Sequence, residues 1–278
     1  MPNFWDKLQS IDRRWIYLLV ACAVLFPMIV TMQFPVRLTP ESRELFNAID
    51  RLPDSSVVML TFDYYPSTLA ETEPMSIAAL RHMFEKNMKV ITISNIPLGG
   101  PSIAERVTRE IAKEYNKVYG VDFVNLGYKY GYVAVMQGLA GSIERIFPYD
   151  NTGHLLSDLP LMKKVKNYDN IKFIFVVADN ATLDYWISIV NAQYGVPVGG
   201  GVTSVMAPKM YAYVESKQLT GLLGGMKGAA EYEIQLGIPG AATRGMNSQS
   251  LVHLLIMFFV LIGNIGYFFS RRSHRKAM

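Results

Sequence analysis

The sequence predicts a doubly wound α/β domain, built on a mostly parallel sheet and flanked by an N-terminal and a C-terminal transmembrane helix. Three observations lead there. Two uncharged apolar runs, residues 15–32 and 251–269, lie near the two ends of the chain. Between them, short runs rich in Val, Ile, Leu and Phe alternate with amphipathic stretches whose apolar residues recur every three or four positions. Glycines and polar residues gather after these strand-like runs rather than before them.

The first apolar run, WIYLLVACAVLFPMIVTM, spans about 27 Å as a helix, close to the thickness of a hydrocarbon core. Arg13 and Arg14 precede it, and Arg271, Arg272, Arg275 and Lys276 follow the second run. The positive-inside rule then puts residues 1–14 and 270–278 in the cytoplasm, and residues 33–250 outside it, on a two-pass protein of the cytoplasmic membrane. Residues 31–35 (TMQFP) offer no A-x-A cleavage pattern. Leu19-Val20-Ala21-Cys22 resembles a lipobox, but apolar chain continues beyond it, so a retained signal anchor is the default. Polar groups are costly in lipid, so Asn264 in the second span is expected to face protein, either the first span or a partner subunit.

Within residues 33–250 the expected order begins with a short helix at 39–52, Pro40 just inside its start, and a strand at 57–62. Helices at 74–87 and 102–119 alternate with strands at 90–94 and 121–126, Gly120 closing the second helix. A helix at 133–147 leads into an irregular excursion, 148–170, with a short helix at 161–165. The most apolar strand, 171–178, precedes a helix at 182–194 closed by Gly195. A short strand at 196–198, a helix at 208–216, a strand at 219–223 and a helix at 228–236 complete the domain. Near-continuous apolar strands of this kind belong to a sheet covered on both faces.

Composition narrows the function. The 278 residues contain one Cys, which excludes a disulfide framework and any thiolate-built zinc or iron–sulfur site held by this chain alone. The pI of about 9.0 arises at the two ends; the middle holds 20 bases against 21 acids and has no electrostatic footprint for nucleic acid. Neither G-x-x-x-x-G-K-[ST] nor G-x-G-x-x-G after a strand occurs, so nucleotide binding is disfavoured and no cofactor or metal is expected.

Ligands of open parallel sheets bind outside the carboxyl ends of the strands, so the residues that follow each strand are the candidates. The first strand is followed by Asp63, Tyr64 and Tyr65. Asn95, Gly99, Gly100 and Ser102 follow the second, and Tyr128, Tyr130 and Tyr132 the third. Asp179 and Asn180 follow the fourth, Gly200, Gly201 and Thr203 the fifth, and Lys227 the sixth. Strand-end glycines and acids also serve as turn formers and caps. Asp63 and Asp179 are the pair that could do acid/base work at a crevice between the first and fourth strands, with His154 as the one plausible general base.

Read together, FDYYPST, PMSIAALRHMF, YGVPVGGGVTSVMAPKMY and LLGGMKGAAEYE resemble an uncharacterised family of prokaryotic two-span membrane proteins with an extracytoplasmic Rossmann-like domain. The likeness covers nearly the whole chain, from IDRRWIYLL to SLVHLLIMFFVLIGNI; it implies the topology and carries no assigned activity. The expectation is a binding or scaffold subunit of a membrane assembly. Its partners are the lipid bilayer and other membrane subunits or further copies of itself. The alternative is an anchored hydrolase or transferase that uses the strand-end carboxylates.

Overall fold

The computed structural model describes residues 12–30 and 37–276. The predicted cytoplasmic residues 1–11, the end of the first predicted span and the TMQFP stretch lie outside the described residues. The chain forms two compact units, Val36–Thr243 and a second made of Met1–Pro35 with Arg244–Met278.

The larger unit is a six-stranded, all-parallel sheet. Its strands are β1 (Val57–Asp63), β2 (Lys89–Ser94), β3 (Phe123–Tyr128), β4 (Phe173–Ala178), β5 (Val198–Val202) and β6 (Leu222–Gly224), in the order β3-β2-β1-β4-β5-β6. This is the 3-2-1-4-5-6 order of doubly wound sheets, and its reversal point lies between β1 and β4, where Asp63 pairs with Ala178. Crossovers in such sheets are right-handed. Connections that step from β1 toward β3 therefore put α3 (Leu69–Glu85) and α4 (Gly100–Glu114) on one face, beside α2 (Pro40–Asp50) and α11 (Gly225–Gln235). Connections that step from β4 toward β6 use the other face. There α5 (Tyr132–Gly141), α6 (Ile143–Ile146), α7 (Pro160–Lys164) and α10 (Ala207–Glu215) cover a core that includes Met59, Ile91, Val124, Ile174 and Val176.

Several boundaries depart from the sequence expectation. The helix after β1 begins at Leu69, following a 3₁₀ turn at Pro66–Thr68, and carries Pro74 inside it at the cost of one helical hydrogen bond. The α4 helix ends at Glu114 rather than near Gly120, because Asn116 takes a φ of 53°. The expected helix 133–147 breaks at Ser142, whose extended backbone lets its hydroxyl accept from the Arg145 amide at 3.2 Å. The expected helix 182–194 is α8 (Thr182–Tyr185), a π-helical turn (Trp186–Asn191) and α9 (Ala192–Tyr194), closed by Gly195 at φ 70°. The largest difference is β5. The glycines expected to form a loop after a strand at 196–198 are themselves strand, because helices approach so closely there: a Cβ on Gly199 would sit 2.3 Å from Leu45, and one on Gly201 2.9 Å from Met75.

The smaller unit holds α1 (Arg13–Ile29) and most of α12 (Ala241–Lys276). Asp12 caps α1 by accepting from the Arg14 amide at 2.9 Å, and the Ser248 hydroxyl donates to the Val24 carbonyl at 3.0 Å. Among the described residues, one segment is long and apolar enough to cross a membrane, Ala241–Phe269, whose most apolar 18-residue stretch has a mean hydropathy of 2.1. The α1 helix has 17 residues, about 26 Å, and exposes Leu18, Leu25, Phe26 and Met28. Asn264 is exposed, and its side-chain amide donates to the Val260 carbonyl of its own helix at 2.8 Å.

A buried aromatic cluster joins three helices of the larger unit. His82 on α3 stacks on Phe46 of α2 with centroids 4.4 Å apart, and its Nδ1 shares a 2.8 Å hydrogen bond with the Tyr232 hydroxyl of α11. Burial pushes the imidazole down to about 4, against the nearby Asp50 carboxylate. The unfolded chain, with a histidine near 6.5, then binds more protons than the fold between pH 6.5 and about 4, so His82 makes stability fall as pH falls through that window. Urea midpoints measured from pH 7 to pH 4.5 are expected to drop less steeply in His82→Gln than in the parent; equal slopes would remove His82 from this account.

Candidate functional site

The strand ends at the reversal point are organised by two carboxylates. Asp63 closes β1 with no solvent exposure and accepts three kinds of donor: the Asn95 amide nitrogen at 2.7 Å, Asn95 Nδ2 at 3.2 and 3.0 Å, and Trp186 Nε1 at 3.0 Å. Burial pushes its carboxyl up, and the hydrogen bonds from Asn95 and Trp186 pull against that shift. Asp179, just past β4, accepts from the Tyr65 amide at 2.8 Å and the Thr68 hydroxyl at 2.7 Å. Asn180 bridges the two strand ends, donating to the Asp63 carbonyl at 2.6 Å and to Asp179 at 2.9 Å, while its own oxygen accepts from the Thr182 amide. These bonds set the backbone course of three loops. Acid/base chemistry needs a carboxylate that reaches substrate, and Asp63 has no exposed surface from which to do so.

Above this layer lies a half-open cleft of about 490 Å³. Five tyrosines line it: Tyr65 after β1, Tyr128 at the end of β3, Tyr130 in the turn that follows, Tyr132 at the start of α5, and Tyr185 on α8. Asn95, Ile96 and Pro97 supply one wall, and Asn180, Ala181 and Thr182 another. The Tyr132 and Tyr185 rings meet at 4.9 Å and 57°, and Tyr130 is 89% exposed. Among the described residues, no charged side chain lines the cleft. The one cation of the tyrosine segment, Lys129, donates its Nζ to the Ile146 carbonyl and lies over the Phe147 ring.

The sequence candidates therefore separate. Tyr65, Asn95 and Asn180 line the cleft, with Asp63 and Asp179 as the hydrogen-bond acceptors that position them. Tyr64 points into the core and shares a 3.1 Å hydrogen bond with Ser76. Gly99, with φ 89°, caps α4. Gly100 lets that helix approach the sheet, since a Cβ would sit 2.0 Å from Ser94 Oγ, and Ser102 is exposed on the first turn. Gly200 and Gly201 belong to β5, and the Thr203 carbonyl accepts from the Met206 and Ala207 amides at the entry to α10. Lys227 pairs with Glu231 one turn along α11. His154 pairs with Asp150 at 3.1 Å in the excursion after α6, outside the cleft lining. Among the described residues no group of three or more His, Cys, Asp or Glu side chains could hold a metal ion.

Sequence reasoning missed Tyr185 and Trp186. Tyr185 had a usable signal, standing three residues after Thr182 on the first turn of the helix that follows β4. Trp186 had none, since a tryptophan in an amphipathic run reads as core until the acceptor beneath its ring nitrogen is known.

Fold and cleft together define a doubly wound α/β domain with a crevice at its reversal point. No family model, curated protein or solved structure matches the chain.

Asp63 faces only donors, so Asp63→Asn turns one acceptor into a donor and leaves a buried N–H unpaired. A loss of about 1–3 kcal/mol is expected by urea unfolding. Stability within about 0.5 kcal/mol of the parent would show that the hub is dispensable.

Proposed function

We propose that this chain is a membrane-anchored binding or scaffold subunit. In this reading its α/β domain lies outside the cytoplasm, held by spans at 15–32 and 251–269 with both termini inside, and contacts a ligand or partner in the tyrosine-lined cleft. The observation that carries it is the division of labour at the strand ends. The carboxylates are engaged in internal hydrogen bonds, and the surface left open is aromatic, uncharged and concave. Tyrosines of this kind offer contact area with a polar tip at low entropic cost, which suits recognition. The exposed apolar residues of α1 and α12 support a lipid environment, and the basic residues at both ends support cytoplasmic termini.

Topology is tested by cysteine labelling in a Cys22→Ser background. In intact cells an impermeant maleimide is expected to modify Lys117→Cys, and to modify Lys276→Cys only after permeabilisation; the reverse pattern would invert the reading.

Occupancy of the cleft is tested by nitrating tyrosines in native membranes and in purified protein. Tyr130 is expected to be protected in membranes and reactive once purified, while Tyr149, 56% exposed and outside the cleft, reacts in both. Equal reaction of Tyr130 in the two preparations would count against a bound ligand or partner.

A further inference from the structure

We infer that the cleft takes an uncharged saccharide, stacked on its tyrosines and hydrogen-bonded through its hydroxyls to the Asn95 side-chain carbonyl. The inference rests on the cleft being a binding site and names the class of ligand.

Asn95 supplies the first argument. It is 5% exposed, and its Nδ2 is committed to both oxygens of Asp63 beneath it. The amide is thereby fixed in orientation. Its Oδ1, on the other arm of the planar group, accepts no hydrogen bond among the described residues, and Asn95 lines the cleft. A fixed acceptor that opens on the cleft is matched by a donor from the ligand. A carboxylate or phosphate oxygen has none to offer and would face the carbonyl oxygen with like partial charge. A hydrocarbon would leave the carbonyl unpaired.

The second argument is the charge of the lining, which among the described residues contains no Asp, Glu, Lys, Arg or His. Nothing there compensates a charged ligand for lost hydration. Lys129, the nearest cation in sequence to the tyrosines, is engaged with the Ile146 carbonyl.

The third is shape. Aromatic faces carry a negative quadrupole and attract slightly positive C–H groups. A pyranose presents such C–H groups on a ring face and hydroxyls around its rim, matching rings such as Tyr132 and Tyr185 beside amide and phenol groups. The volume of about 490 Å³ falls in the ligand-pocket range of roughly 300–1,000 Å³. The π-helical turn Trp186–Asn191 follows Tyr185 directly, a departure from regular helix that recurs at functional sites.

The test uses the full chain in lipid nanodiscs, because maltoside detergents carry a competing disaccharide. Cellobiose, maltose and N,N′-diacetylchitobiose are titrated by isothermal calorimetry, with glucose 6-phosphate as the charged comparator. At least one neutral disaccharide is expected to bind saturably and more tightly than glucose 6-phosphate. Tyr130→Ala and Tyr132→Ala are each expected to weaken it at least tenfold, and Tyr149→Ala to leave it unchanged. Tyr130 is so exposed that its truncation keeps the fold, so that variant remains decisive if Tyr132→Ala unfolds. Binding by none of the three, equal or tighter binding of glucose 6-phosphate, or parental affinity in Tyr130→Ala would overturn the inference. If saccharides fail while Tyr130 is still protected from nitration in membranes, the ligand class falls and the binding reading stands. If protection is also absent, both fall.

Discussion

The rim of this sheet depends on one buried carboxylate. Asp63 lies at the point where strand order reverses, and its acceptors tie the end of β1 to the loop after β2 and to the π-helical turn after β4. A carboxyl group buried in such a place is tolerated because N–H groups of Asn95 and Trp186 are directed at both of its oxygens. The arrangement fixes Asn95 and Trp186 together. It thereby converts an opening between strands, which every doubly wound sheet has, into a cleft with a defined wall.

The same use of acidic side chains recurs across the larger unit. Glu233, buried on α11, accepts from the Gly240, Ala242 and Thr243 amides and the Thr243 hydroxyl, filling the role of an N-terminal cap for α12 from a different helix. Glu231 accepts from the amide and hydroxyl of Thr39 at the start of α2, and Glu71 holds Ser204 in the loop that leads to α10. These carboxylates satisfy backbone amides at the ends of elements, where an apolar side chain would leave donors unpaired. Close approach of backbone does the complementary work at β5 and Gly221. A Cβ at Gly221 would lie 2.5 Å from the Leu45 nitrogen.

The polar chemistry of the chain is thus directed inward, and its aromatic chemistry outward, at the reversal point. Tyrosine is the residue able to face water and ligand by turns, since its ring stacks and its hydroxyl remains hydrated. Lys129 shows how the cleft stays neutral: it stands between Tyr128 and Tyr130 in the chain yet lies over Phe147, reaching the Ile146 carbonyl.

Periodicity alone determined the alternation of strands and helices, six strands in sequence, and the expectation that chemistry would gather after them, because burial imposes a period on any amphipathic element regardless of its neighbours. The adjacency of Asp63 and Asp179 followed from the reversal rule. What only the tertiary structure decided were matters of approach and pairing. The three glycines of β5 look like a loop in the sequence because flexibility and close packing select the same residue. Pro74 looks like a helix start because its local preference is blind to the turn before it. Tyr64 and Tyr65 are neighbours of one kind, and the extended chain just past β1 sends one to the core and the other to the cleft. Whether Asp63 reacts or supports depends on which N–H groups surround it, and those come from residues 32 and 123 positions away along the chain. Local sequence carries no record of such distant donors, so the role of the carboxylate became readable only once the chain had folded around it.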